Sequence, residues 1–339
     1  MKISIFGSGS WGTAVSILLS DNGNDVTLWS VFEEEAKQLR DQRENPFLKG
    51  IILPDSINIT SDIDEAISGI EMAVIATPSF AVAETAMKLK NKLPPDCIVV
   101  CISKGIEKDT SCRFSEIIKA QLGSDVLLAS LSGPSHAEEV GRRVPTACVV
   151  ASENPDVAEK VQDVFMNENF RVYASSDIVG VELGAALKNV IALCAGVCDG
   201  LGYGDNTIAM LMTRGLAEMA NLCVALGGKK ETLAGLAGLG DLIVTCTSQH
   251  SRNRRAGVLI GKGFTAEEAM VEVGAVVEGY YAAKAAYELS EKTGVDMPIC
   301  NEAYKVLYEG KTAVEALTDL MKRSKKTEWD TGEEHWVIT

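Results

Sequence analysis

The sequence predicts an α/β protein in two parts, a doubly wound parallel sheet followed by an all-α C-terminal domain. Three observations carry that expectation. Three glycines in the spacing G-x-G-x-x-G (Gly7, Gly9 and Gly12) join an apolar opening strand to an apolar helix. Strand-like and helix-like runs then alternate to about residue 178, the pattern of βα units in an open sheet. From about residue 179 the strand signal disappears, and apolar helices with glycine-rich links take over. A chain of 339 residues is also long for one core. The expected division is a dinucleotide-binding domain over 1–178, a helical substrate domain over 179–323 and a poorly ordered polar tail over 324–339.

Lys2–Phe6 reads as the first strand and 13–19 as the body of the first helix. The glycines between them each have a reason. Gly7 allows the turn, Gly9 lets the backbone approach a pyrophosphate, and Gly12 lets helix pack on strand, as in a Rossmann-type domain. Phosphates would then sit on free N–H groups at a helix N-terminus. A turn that binds nothing is the weaker reading, because the triplet directly follows a strand that begins at the second residue. Asp25–Trp29 reads as the second strand and 33–43 as a charged helix. The second strand normally ends at the residue that inspects the adenosine ribose, and here Ser30, Val31, Phe32 and Glu33 include no cation. Further strands are expected at 72–77, 97–103, 126–131, Thr146–Ala151 and 170–173, with helices at 82–92 and 112–122. Ligands collect at the C-terminal ends of such strands, so Thr77, Pro78, Lys104 and the 133–137 loop should meet at one crevice. Helices are expected at 181–198, 207–226, 256–260, 265–271, 277–292, 301–308 and 312–323.

Composition narrows the function. The net charge of −15, from 32 basic against 47 acidic residues, argues against a nucleic-acid surface or an anionic membrane as partner. No signal peptide and no apolar run as long as a membrane span is read, so a cytoplasmic protein without membrane insertion is expected. The nine cysteines are scattered, and Cys97, Cys101, Cys148, Cys194 and Cys223 lie in apolar runs, as small buried hydrophobes do. Reduced thiols suit that compartment. Cys194 and Cys198 are one helical turn apart, but His136, His250 and His335 supply no spaced partners, so no metal site is expected.

Lys188 stands out in the helical half. Between Val181 and Val197 only Glu182 and Lys188 carry charge, and an ammonium in so apolar a helix needs a partner or a water-lined cleft. Burial or a neighbouring cation would lower its pKa and suit it to proton transfer. Snorkelling to the surface is the alternative. Asn189 beside it is placed to orient a substrate or the lysine. In a second stretch, Gly238, Gly240 and Asp241 read as a flexible turn, and Ser251, Arg252, Asn253, Arg254 and Arg255 gather three guanidinium groups in an acidic protein. Arginine forks match phosphate oxygens, although such runs are usually solvated faces.

These residues resemble the bacterial-type NAD(P)-dependent glycerol-3-phosphate dehydrogenase family over nearly the whole chain. The matching stretches are GSGSWGTA at Gly7, SKGIE at Ser103, LSGPSHAEEV at Leu131, GAALKNVIAL at Gly184, LMTRGLAEM at Leu211, GLAGLGDLIVTCTS at Gly235, SRNRR at Ser251 and VVEGY at Val276. The resemblance implies interconversion of dihydroxyacetone phosphate and sn-glycerol 3-phosphate with NAD or NADP, supplying the glycerophospholipid backbone. It implies Lys188 as proton donor and acceptor, with Lys104, Gly133, Ser135, Asp241, Ser251, Arg252 and Asn253 around a small phosphorylated substrate. Around the dinucleotide it implies Ser10, Trp11, Lys104, Ala137, Arg252, Val276 and Glu278, beside Gly7, Gly9 and Gly12. A homodimer is a possible assembly. Two other readings stay open, a related dehydrogenase of a β-hydroxy acid and a non-catalytic NAD(H) sensor. One departure matters. Where the family often has a basic residue two positions after the second-strand tryptophan, this chain has Val31, followed by Glu33, Glu34 and Glu35. Inward-facing carboxylates would repel a 2′-phosphate. NADH should therefore serve at least as well as NADPH, and a strong NADPH preference in kcat/KM would overturn that expectation.

Overall fold

The computed structural model describes residues 1–325, 327 and 328. The expectation of a poorly ordered tail over 324–339 falls almost wholly outside them. The N-terminal part runs β1 (Lys2–Phe6), α1 (Ser10–Asp21), β2 (Asp25–Trp29), α2 (Glu33–Gln42), β3 (Asn58–Thr60), α3 (Ile63–Ile67), β4 (Met72–Ile75), α4 (Val82–Leu89) and β5 (Ile98–Cys101). It continues with α5 (Phe114–Leu122), β6 (Leu127–Ser132), α6 (Ala137–Val140), β7 (Thr146–Ala151), α7 (Pro155–Phe165) and β8 (Phe170–Ser175). The eight strands form one sheet in the order β3-β2-β1-β4-β5-β6-β7-β8. The chain reverses direction across the sheet between β1 and β4, which opens a crevice at their C-terminal ends.

Both faces of the sheet are covered, and the period-2 alternation of the strands decides which side chain goes where. Ile3 and Ile5 pack into one cluster with Val15, Leu19 and Phe165, while Phe6 of the same strand joins Ile75, Val99 and Phe114 on the other face. One junction departs from the expected parallel sheet: β6 and β7 pair antiparallel, Ser130 opposite Ala151. The link between them holds only the single-turn helix α6, which turns the chain back where a full crossover helix would carry it over the sheet. The short β3 and α3 and the longer α7 go beyond the elements read from the sequence. The start of α7 is nonetheless encoded, because Asn154 accepts the Asp156 N–H and Pro155 occupies the first helical position.

The second part is helical throughout its described residues: α8 (Ile178–Gly200), α9 (Asp205–Ala225), α10 (Lys230–Leu233), α11 (Asp241–Thr247), α12 (Arg252–Gly261), α13 (Ala266–Val273), α14 (Glu278–Thr293), α15 (Pro298–Tyr308) and α16 (Ala313–Met321). Where a flexible turn of Gly238, Gly240 and Asp241 is expected, 236–240 winds into a π-helical turn and Asp241 begins α11 directly after it. The expectation that no run is long enough for a membrane span also needs correcting. Both α8 and α9 pass by length and composition, with mean hydropathy 1.7 and 1.3. In α8, 89% of the apolar window is buried inside the protein, so it is the central core helix on which the others pack.

Two contacts fix α8 in place. Glu182 accepts hydrogen bonds from the Ser115 N–H (2.8 Å), the Ser115 hydroxyl (2.6 Å) and Arg113 Nη1 (2.9 Å), pinning the helix to the start of α5. On the far side α12 lies so close that a Cβ on Gly196 would stand 2.0 Å from the Arg254 carbonyl oxygen, and one on Gly257 2.0 Å from that of Leu193. That close approach brings the SRNRR segment to the same helix that carries Lys188.

Candidate active site

The glycine turn is shaped for a dinucleotide. Gly7 has φ +123°, and a Cβ there would meet the Ala76 backbone at 2.8 Å, while one on Gly12 would stand 2.0 Å from Gly7 O. A Cβ on Gly9 would meet nothing within 4 Å, so this stretch of backbone lies open at the N-terminus of α1, where Ser10 and Trp11 begin the helix. This fits a pyrophosphate. Trp11 is tied down by its indole N–H, which donates to Ile102 O at the end of β5 (3.2 Å).

At the end of β2, Val31 and Phe32 are exposed. Of the three glutamates that follow, Glu33 is taken by Arg40 (2.6 Å) and Ser61. Glu35 turns inward to the glycine turn, accepting hydrogen bonds from the hydroxyls of Ser8 (2.7 Å) and Ser30. A carboxylate therefore borders the region where the adenosine ribose lies in such folds.

The C-terminal ends of β5 and β6 meet α8 and α11 at an ionic group. Lys188 is 5% exposed, which settles the choice between burial and snorkelling in favour of burial. Its ammonium lies 3.1 Å from Asp241 Oδ1 and donates to the Thr245 hydroxyl at 2.8 Å. Lys104 approaches the other carboxylate oxygen, Oδ2, at 2.9 Å, and donates to Gly133 O (2.8 Å) and the Ser135 hydroxyl (3.1 Å). Burial lowers the Lys188 pKa to about 8, with the Lys104 charge adding to the effect and the Asp241 carboxylate opposing it. Burial works to raise the pKa of Asp241, but the two ammonium groups outweigh it and hold the carboxyl below its ordinary value.

The remaining expected residues divide. Ser251 caps α12 by accepting the Arg254 N–H (3.2 Å), and Arg252 opens that helix with its side chain exposed, near enough to Glu278 to act on its charge. The triple-arginine cluster does not form as one anion site. Arg254 turns away to Asp199 (2.6 Å). Asn253 places its amide between Asn189 Oδ1 (2.9 Å) and the Gly279 N–H (2.8 Å), joining α12 to α8 and α14. Asn189 accordingly orients Asn253, and no hydrogen bond joins it to Lys188. Ala137 opens α6, and Val276 lies just before α14. Glu278 accepts the Ser79 N–H through Oε1 (3.2 Å), crossing from α14 to the loop after β4.

Among the described residues, the buried side-chain polar atoms without a partner are Ser132 Oγ, His136 Nε2 and Glu278 Oε2. Ser132 ends β6, His136 follows it, and Glu278 opens α14, all segments that border the crevice. No group of three or more His, Cys, Asp or Glu among the described residues is arranged to hold a metal ion. Sequence reasoning passed over Thr245, weighed His136 only as a metal ligand, and left open which of Glu33, Glu34 and Glu35 faces inward. Thr245 had a signal, since it follows Asp241 by four residues and so shares its helix face.

Comparison with known proteins identifies the family. The family profile for the NAD-dependent glycerol-3-phosphate dehydrogenase N-terminus matches residues 2–158, and that for the C-terminus matches 177–318. A glycerol-3-phosphate dehydrogenase of Thermoanaerobacter sp. (strain X514), named for NAD(P)+, is 54% identical over 97% of this chain and 99% of its own. Its counterpart in Clostridium perfringens (strain 13 / Type A) is 52% identical over 96% and 99%. The crystal structure of the Coxiella burnetii glycerol-3-phosphate dehydrogenase superposes with a TM-score of 0.92 at 36% identity, covering 95% of this chain and 99% of that one. With both halves matched in order and the glycine turn and lysine pair set around one crevice, the chain belongs to the NAD-dependent glycerol-3-phosphate dehydrogenase family.

Proposed function

We propose that this protein reduces dihydroxyacetone phosphate to sn-glycerol 3-phosphate, reversibly, with Lys188 as the proton donor. The buried Lys188–Asp241–Lys104 group carries the reading. NADH or NADPH would be held at the Gly7–Gly12 turn and would supply hydride for the carbonyl carbon. With its pKa near 8, Lys188 is charged at neutral pH yet can release a proton to the carbonyl oxygen as negative charge develops there, and can take it back in the reverse direction. Asp241 and Thr245 hold the ammonium in place. Lys104, fixed to Gly133 and Ser135, positions the substrate beside it. Arg252 and the first-turn N–H groups of α12, following the Ser251 cap, take the phosphate. That remote grip orients the carbonyl for reaction. The product is the backbone alcohol of glycerophospholipids.

We place the reaction in the cytoplasm, without membrane insertion, a reading supported by nine free cysteines. We also read the protein as a homodimer. Only 39% of the apolar window of α9 is buried in one chain, and Met210 and Val224 stand exposed on it, an apolar face for a second copy to cover. Sedimentation velocity should show twice the chain mass, and a monomer at micromolar concentration would refute the dimer.

Purified protein given dihydroxyacetone phosphate and NADH should consume the reduced cofactor, whereas turnover of a carboxylate substrate alone would select a β-hydroxy-acid enzyme. Lys188→Ala should lower kcat by about a thousandfold while leaving NADH binding intact. In the unaltered enzyme, reduction should fall and oxidation rise as the pH passes upward through about 8, because the ammonium is lost there. Arg252→Ala should raise the KM for dihydroxyacetone phosphate by roughly ten- to a hundredfold, the worth of a charge-assisted contact; an unchanged KM moves the phosphate elsewhere. Glu35→Ala should shift the NADPH to NADH ratio of kcat/KM upward by about fivefold, the effect of removing one partly screened like charge.

A further inference from the structure

We propose that His136 binds the free hydroxymethyl group of the substrate, and so lets the enzyme tell dihydroxyacetone phosphate from a ketone phosphate that ends in a methyl group. The proposal rests on the reading that Lys188 takes the carbonyl oxygen and Arg252 the phosphate.

His136 directly follows Ser135, whose hydroxyl lies 3.1 Å from the Lys104 ammonium. Its imidazole is close enough to both Lys188 and Lys104 to feel their charges, and lies within hydrogen-bonding reach of the Val244 backbone, next to Thr245. The ring of His250 faces it with centroids 6.0 Å apart. In this setting Nε2 is sealed from solvent and has no hydrogen-bond partner. A buried nitrogen left in that state costs stability unless it gains a hydrogen-bond partner, and a bound ligand can supply one.

The chemistry of the imidazole selects the end of the substrate. Burial, then the two ammonium groups, hold the imidazole pKa below its ordinary value, so at neutral pH the ring is uncharged. An uncharged ring is a poor anchor for phosphate, which Arg252 and the start of α12 already serve. It is well matched to a hydroxyl, which gives and accepts hydrogen bonds alike. The hydroxymethyl is also the end of the substrate that remains once Lys188 takes the carbonyl oxygen and Arg252 the phosphate. A site with a buried polar atom meant for a hydroxyl rejects the analogue that lacks it, because that atom is then left unpaired.

The test compares two ketones, dihydroxyacetone phosphate and acetol phosphate, which has methyl in place of hydroxymethyl. His136→Leu should lower kcat/KM for dihydroxyacetone phosphate by about a hundredfold and leave that for acetol phosphate within about threefold of its starting value. His136→Gln, whose side-chain amide reaches the position of Nε2, should keep most of the discrimination. NADH affinity, measured by fluorescence, should be unaltered in both. Equal losses on the two substrates, as damage to packing would give, overturn the proposal, as does an unchanged ratio in His136→Leu. Should His136→Leu not fold, the ratio in His136→Gln compared with the shorter His136→Asn decides in the same way. A wild-type protein that reduces neither ketone would instead refute the dehydrogenase reading itself.

Discussion

The arrangement depends on one carboxylate shared by two cations. Asp241, 2% exposed, receives Lys188 on one oxygen and Lys104 on the other. Each ammonium alone would be costly to hold at this depth, and two without an anion between them more so. With Asp241 present the group carries a single net positive charge, held where the C-terminal ends of β5 and β6 meet α8 and α11. The same charge balance sets the chemistry. Lys188 is destabilised by burial and by Lys104 and stabilised by Asp241, and the balance leaves it able to exchange a proton near neutrality. Because Lys104 follows a strand of the sheet and Asp241 and Lys188 lie on helices, the ion group is also a bond between the two parts of the chain.

Much of this was legible in the sequence. The glycine triplet announced the turn because backbone geometry leaves few other uses for three glycines at that spacing after a strand. Lys188 stood out as the only cation along an apolar helix, a local contrast that needs no tertiary knowledge. What stayed hidden was direction. Nothing in Glu33-Glu34-Glu35 says which carboxylate faces the ribose region; the answer comes from the hydroxyls of Ser8 and Ser30. Likewise Arg252 and Arg254 are alike as letters, but helical winding places them on different faces, and Asp199 claims the second. Asn189 and Asn253, expected beside a ligand, have a second task that the letters do not reveal, tying helices together. The three-residue β3 is too short for any periodicity to register.

The network around Asn253 shows how packing supports chemistry. The close approach of α12 to α8 through Gly196 and Gly257 would leave two buried amides facing each other, and Asn189 and Asn253 satisfy one another there. A change at either asparagine would therefore move the start of α12, and with it Arg252, although neither side chain needs to touch a ligand.

The Glu182 clamp has a mechanical consequence. It sits six residues before Lys188 on one continuous helix, roughly 9 Å along the axis. A stiff rod anchored so near its reactive group cannot swing without bending. The backbone that carries Lys188 and the anchor on α5 are thereby joined into one stiff unit, whatever the packing of the helices further out.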